Sequence, residues 1–270
     1  ATEDAKSFCG QHKMVLLEDA AHLLLPGNGT GQGDLLVFSP RKLLAVPWGG
    51  ILVASGNWAR HLSDVSRVRR VKANTIRWLG RRLAQKALLH LHIPWHRLRA
   101  IYQRGLVDGN TGDTNVLYDG ALEGCDPFVL RLLTVMEQHI EKIIQQRRHN
   151  YHLLLEWTSQ LTQARPLFAS LPDGVCPYAF PLLVDHGSMN VVAMLQARGI
   201  PASQWPDLPP EVLAAKEEHK VALRTHEQLL LLPVHQSLTP KQIDMVGRQL
   251  RAELSGGGTR FENMAIAPRA

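Results

Sequence analysis

Cysteine is scarce. Cys9, Cys125 and Cys176 are the only three in 270 residues, an odd number with no CxxC pair, so neither a disulfide framework nor a structural zinc site is indicated. Free thiols are expected. Long apolar runs are also missing. No stretch approaches the roughly 18 to 20 uninterrupted apolar residues of a membrane-crossing helix, and no basic segment followed by an apolar one opens the chain, so neither a span nor a signal peptide is predicted. The expectation is a cytoplasmic protein with no membrane partner. Phosphate-binding patterns are absent too. The glycine-rich stretch LLLPGNGTGQGD, residues 23–34, matches neither GxxxxGK[ST] nor GxGxxG opening a helix, and it reads as a plain loop.

What is present fits an ordinary globular protein, with 45% hydrophobic and 20% charged residues. The net charge of +6 comes largely from Arg67, Arg69, Arg70, Lys72, Arg77, Arg81, Arg82 and Lys86. Val68, Val71, Ile76, Leu79 and Leu83 are interleaved with these at near-helical spacing, which predicts an amphipathic helix whose basic face is solvated. The helical pattern runs from Val65 to Gln103, broken at Pro94. No nucleic-acid partner is expected, because no recognition module accompanies the charge.

Along the chain, MVLLEDAAH, DLLVFSPRKLL and GGILVAS predict three buried strands separated by glycine and proline. Asp126 followed by Pro127 makes a helix start. Phe128, Leu132, Leu133, Met136, Ile140, Ile143 and Ile144 carry the periodicity onward, and one long helix is predicted as far as Trp157, its stripe serving as core or subunit interface. Beyond Pro166 strand and helix alternate: PYAFPLLVD and LLLLPV as strands, SMNVVAMLQARGI as a helix ended by Gly199, and Thr239 to Gln242 as a capping box opening a last helix through about Leu254. The tail from Ser255 is expected to be disordered.

Two features of the first strands carry chemistry. The acid pair Glu18-Asp19 ends one strand, and Lys42 follows the next. The carboxyl ends of strands in an open α/β sheet form ligand crevices, so a carboxylate and an amine there face one another. A lysine so placed can form a Schiff base with an aldehyde cofactor, and a carboxylate can hold a pyridine nitrogen protonated.

The order LLEDAAH, a loop ending in GD, VFSPRKLL and GGILV resembles the DegT/StrS group of sugar aminotransferases, which are fold-type I pyridoxal-phosphate (PLP) enzymes. GIPASQWP and LLLLPVHQSLTPKQIDMVGRQL are similar to that group's small domain and closing helix. The resemblance is strong over residues 14 to 55 and 228 to 254 and thin between.

It implies an α/β fold: part of a three-layer α/β/α large domain over residues 1–110, a linker and long connecting helix over 111–165, and a small α+β domain over 166–254. It further implies PLP as cofactor, an amino-acid donor, a keto-sugar acceptor and a homodimer. Lys42 would be the catalytic lysine, Asp19 the partner of the pyridine nitrogen, His22 a neighbour of the cofactor ring, and Ser39 a donor to the cofactor phosphate.

The sequence departs from the family in four ways. Ser39 stands three residues before Lys42 where the family's serine commonly stands five before. Pro40 removes a backbone donor from the same turn. Trp48 precedes Gly49-Gly50 where a small or acidic residue is expected. The loop that cradles the phosphate and the aromatic that stacks on the ring come from a half of the large domain that lies before Ala1, so a fragment that alone binds PLP weakly is expected. The alternative is a degenerate, non-catalytic interaction or regulatory protein that keeps the fold.

Overall fold

Short aliphatic runs set between glycine and proline fix the strands, and the first of them shows how the sequence shapes the site. The structure, a computed structural model, describes residues 2–25, 30–62, 71, 73–90, 125–185, 187–205 and 207–256. The chain divides into two compact units, Ala1–His139 and Ile140–Ala270.

In the first unit, helix α1 (Thr2–Gln11) leads into β1 (Leu17–Asp19), followed by β2 (Leu35–Phe38) and β3 (Ile51–Ala54). The sheet order is β1-β2-β3. β1 runs parallel to β2 with Asp19 opposite Val37, and β3 returns antiparallel with Ile51 opposite Phe38. The reversal uses a short 3-10 turn, Pro40–Lys42. It then passes through Gly49, whose φ of +113° is a conformation L side chains rarely adopt.

Ala20, Leu36 and Phe38 form a small core with Leu23 packed on it. Of the three strands expected to be buried, only β2 is. Leu17 is 55% exposed and Ile51, Leu52 and Val53 are 40 to 45% exposed. The reason is position: β1 and β3 are the two edges of a three-stranded sheet, and burial is strong only on the central strand.

Helix α2 (Ala73–His90) falls within the stretch predicted helical from Val65 to Gln103, of which residues 65–70, 72 and 91–103 lie outside the described residues. Its orientation is a correction. Ile76 and Leu83 are about 60% exposed, not packed. Thr75, only 1% exposed, faces inward instead, because its hydroxyl is tied to Trp48 and Asp126. Helix α3 (Pro127–Glu137) starts as predicted, with the Asp126 carboxylate accepting from the Phe128 amide at 2.7 Å.

The predicted long helix is two helices. The His139 amide bonds the Met136 carbonyl at 2.9 Å, a tight i to i−3 closure that ends α3. Helix α4 (Ile140–Thr158) then opens the second unit.

That unit holds a four-stranded antiparallel sheet of order β4-β5-β7-β6, made of β4 (Ala164–Pro166), β5 (Phe180–Val184), β6 (Ser203–Gln204) and β7 (Leu229–Leu232). The strand at 180–184 and the strand at 229–232 were legible as apolar runs, whereas β4 and β6 are too short to show periodicity. Helices α5 (Ser188–Ala197), α6 (Pro210–Ala214), α7 (Lys220–Gln228) and α8 (Pro240–Gly256) complete it. One continuous core joins Tyr151 and Leu154 of α4, Phe180, Leu182 and Leu230 of the sheet, Leu195 of α5, and Ile243 and Leu250 of α8.

The predicted capping box forms. The Thr239 amide donates to Gln242 Oε1 at 2.9 Å, and the Gln242 amide donates to Thr239 Oγ1 at 3.4 Å. Arg147 is almost wholly buried, and its guanidinium donates to Gln236 Oε1 at 2.7 Å and to the Pro177 and Tyr178 carbonyls. Of the tail expected to be disordered from Ser255, Ser255 and Gly256 instead close α8, and residues 257 onward lie outside the described residues.

Candidate active site

Side chains on a strand alternate between faces, so the adjacent acids of β1 must part company. Glu18 turns to the glycine-rich loop, where its carboxylate accepts from the Gly31 amide at 3.0 Å and from the Gly33 amide. Asp34 closes the same loop by accepting from the Leu16 amide at 2.9 Å. Gly33 cannot carry a side chain without a shift, since a Cβ there would lie 2.9 Å from the Leu16 carbonyl oxygen. Two of the loop's amides are thus consumed by a carboxylate, in keeping with the plain-loop reading. Residues 26–29 lie outside the described residues.

Asp19 takes the other face, and its Oδ1 accepts from the Ala21 amide at 2.9 Å. That bond shapes the turn after β1 and sets His22 toward the end of β2. Lys42, at the close of the Pro40–Lys42 turn, brings its Nζ to 2.9 Å from His22 Nε2. Three of the four predicted site residues, Asp19, His22 and Lys42, therefore meet at the carboxyl ends of two parallel strands. Asp19 and His22 are exposed and Lys42 is half-buried. The pKa of His22 is lowered from 6.5, first by burial and second by the Lys42 cation, against the opposing pull of Asp19. The imidazole is neutral at neutral pH, and its Nε2 can accept a hydrogen bond from Lys42.

The fourth residue, Ser39, has its carbonyl bonded by the Lys42 amide at 3.1 Å. Its hydroxyl makes no side-chain capping bond to the turn it precedes.

Sequence reasoning noticed Trp48 but missed its partners. The Trp48 indole N–H donates to Thr75 Oγ1 at 2.8 Å, and the Thr75 hydroxyl donates to Asp126 Oδ2 at 2.9 Å. Asp126 and Thr75 are fully buried, so this chain of bonds ties the turn before β3 to the starts of α2 and α3. Only the capping pattern at Asp126 was visible in the sequence, because the other partners stand 27 and 51 residues apart. A cleft of about 500 Å³ lined by Pro47, Trp48, Asn74, Arg77, Trp78 and Arg81 opens beside it. Since Phe38 and Ile51 are paired, Trp48 lies at the same end of the sheet as Lys42. Among the described residues no group of carboxylates, histidines and cysteines could hold a metal ion.

The donor set suits PLP: an amine able to meet an aldehyde, a carboxylate on the neighbouring strand end, and an imidazole between them. No family model matches the chain, and no curated protein does. Among solved structures it is similar to a DegT DnrJ EryC1 StrS aminotransferase from Brucella abortus, with a TM-score of 0.58 and 15% identity over 94% of this chain and 61% of that one. It is similar to PseC of Helicobacter pylori, an aminotransferase involved in the biosynthesis of pseudoaminic acid, at 0.60 and 15% over 94% and 63%. It also matches the PLP form of Spr1654 from Streptococcus pneumoniae at 0.58 and 16% over 94% and 63%, and that protein's PMP form. The chain spans about three fifths of the length of these structures. At such identities the likeness is one of fold: the mixed α/β architecture, with two sheets among the described residues, is similar to that of these aminotransferases.

Proposed function

We propose that the chain is the lysine-bearing part of a PLP-dependent aminotransferase that moves an amino group from an amino acid to a keto sugar. The observation that carries this reading is the 2.9 Å approach of Lys42 Nζ to His22 Nε2 beside Asp19, at the ends of parallel β1 and β2. When bound, PLP supplies an aldehyde that captures amines and a ring that stores the electron pair released at the substrate carbon.

The chain's own residues do the rest. Asp19 supplies the negative charge that keeps a proton on the pyridine nitrogen. Lys42 Nζ would hold the cofactor covalently and, once released as a free amine, would move a proton between substrate carbon and cofactor carbon. His22, held neutral, would accept a hydrogen bond from Nζ and so orient it toward the cofactor. Ser39 offers its hydroxyl to the cofactor phosphate.

The first unit acts as the cofactor-binding part and the second as the small domain, the division at 139/140 falling within the expected connecting stretch. Leu130 and Val135, about half exposed on α3, belong on this reading to a homodimer surface.

Visible absorbance of the full-length protein with added PLP tests the proposal. A band characteristic of the lysine-bound cofactor that disappears in Lys42→Ala supports it. A spectrum identical to free PLP in both would favour a fold kept without its chemistry.

A further inference from the structure

The outward face of α2 has no place in the site chemistry. Ile76, Leu79 and Leu83 recur at i, i+3 and i+7 and so form one stripe along the helix. Ile76 and Leu83 are 61 and 60% exposed, more than any exposed large apolar residue of the unit's strands. The helix cannot roll freely to bury them, because Thr75, which shares a face with Leu79, is moored to Trp48 and Asp126. Exposed guanidiniums of Arg77, Arg81 and Arg82 accompany the stripe, and Arg82 lies over the Trp78 ring, 5.5 Å from its centroid. The cleft lined by two indoles and two of these arginines opens on the other face of the helix, where Asn74, Trp78 and Arg81 align. Between Asp64 and Asp108 the sequence has no carboxylate and eleven Lys or Arg.

We propose that α2 is a membrane-surface helix that lies in the interface of an anionic phospholipid bilayer, revising the expectation of no membrane partner. The charge and the grease must be satisfied together. A bilayer surface takes the aliphatic stripe into the acyl boundary while the guanidiniums meet lipid phosphates, and tryptophan settles at that same level. Nucleic acid would use the arginines but leave the stripe in water. A second copy docked through the same stripe would set arginine against arginine, with no carboxylate in the segment to offset them. The helix lies on the surface and does not span it, since no helix among the described residues is long and apolar enough to cross.

The test is cosedimentation of the protein with vesicles of phosphatidylcholine containing phosphatidylserine, against vesicles of phosphatidylcholine alone. Binding to the anionic vesicles that weakens with salt is expected. Replacing Arg77→Gln and Arg81→Gln together should weaken partitioning about twentyfold, each cation near an anionic surface contributing about a factor of five. Leu83→Asp should weaken it about tenfold or more. Both sets of side chains are exposed, so unchanged circular dichroism is expected alongside. No cosedimentation with anionic vesicles overturns the proposal, as does vesicle binding indifferent to Leu83→Asp. Salt-sensitive binding to a DNA duplex without vesicle binding would assign the arginines to nucleic acid. A dimer dissolved by Leu83→Asp without vesicle binding would assign the stripe to a second copy. Either result overturns it.

Discussion

The two units of this chain solve the burial problem differently. The second closes an antiparallel sheet under α4, α5 and α8 and buries one continuous aliphatic core. The first buries one central strand, leaves its edges open, and holds its turns with polar bonds: Glu18 to the glycine loop, Asp34 to Leu16, and Trp48 through Thr75 to Asp126. The unit with the better core carries no candidate chemistry. The unit with the weaker core holds Lys42, His22 and Asp19 at the mouth of its parallel strands. A packed scaffold needs side chains turned inward, whereas a site needs them turned out at strand ends.

If that contrast is right, the largest loss comes from the one buried charge among the described residues of the second unit. Arg147→Ala strands the Pro177 and Tyr178 carbonyls and Gln236, and should cost about 3 kcal/mol, seen as lost amide protection across residues 140–256 with the first unit little changed. Next comes Gly247→Ala. A Cβ there would intrude on the Trp157 ring, so about 1 to 3 kcal/mol should be lost in the same hydrogen-exchange experiment. In the first unit, Glu18→Gln should cost about 1 to 2 kcal/mol by weakening two amide bonds, with protection falling at Gly31 and Gly33 and not in the second unit.

The smallest effect is the sharpest for the site. His22 should titrate below 6.5 by nuclear magnetic resonance, and Lys42→Met should move its midpoint upward without reaching 6.5, because burial, the larger cause, remains. Asp19→Asn should move it downward. The sign carries into stability. A histidine with a lowered folded-state pKa holds fewer protons folded than unfolded, so its stabilising share is intact above 6.5 and is lost as pH falls through 6.5 toward the lowered value. A midpoint unmoved by Lys42→Met would break the pairing seen between the two side chains.

Much of this was legible in the sequence where the signal is local. The Thr239–Gln242 box and the Asp126-Pro127 start are patterns within four residues, and both formed. The meeting of Asp19 and Lys42 followed from their places at neighbouring strand ends, whereas His22 came only from the family resemblance. What the sequence hid was either long-range or orientational. Nothing local ties Trp48 to Thr75 and Asp126, and without that tie the apolar stripe of α2 reads as core. The split between α3 and α4 hid because both helices keep the same apolar period across it. Glu18 and Asp19 read as one acid pair until the strand's alternation gave each a face.

The most direct test of the central claim is to incubate the full-length natural protein with PLP, reduce with borohydride and map the peptides. A reduced cofactor adduct on Lys42, much diminished in Asp19→Asn and absent in Lys42→Ala, is the predicted result. An adduct spread over surface lysines with none on Lys42, or no adduct at all in excess cofactor, would contradict the account and leave a PLP fold without its reaction.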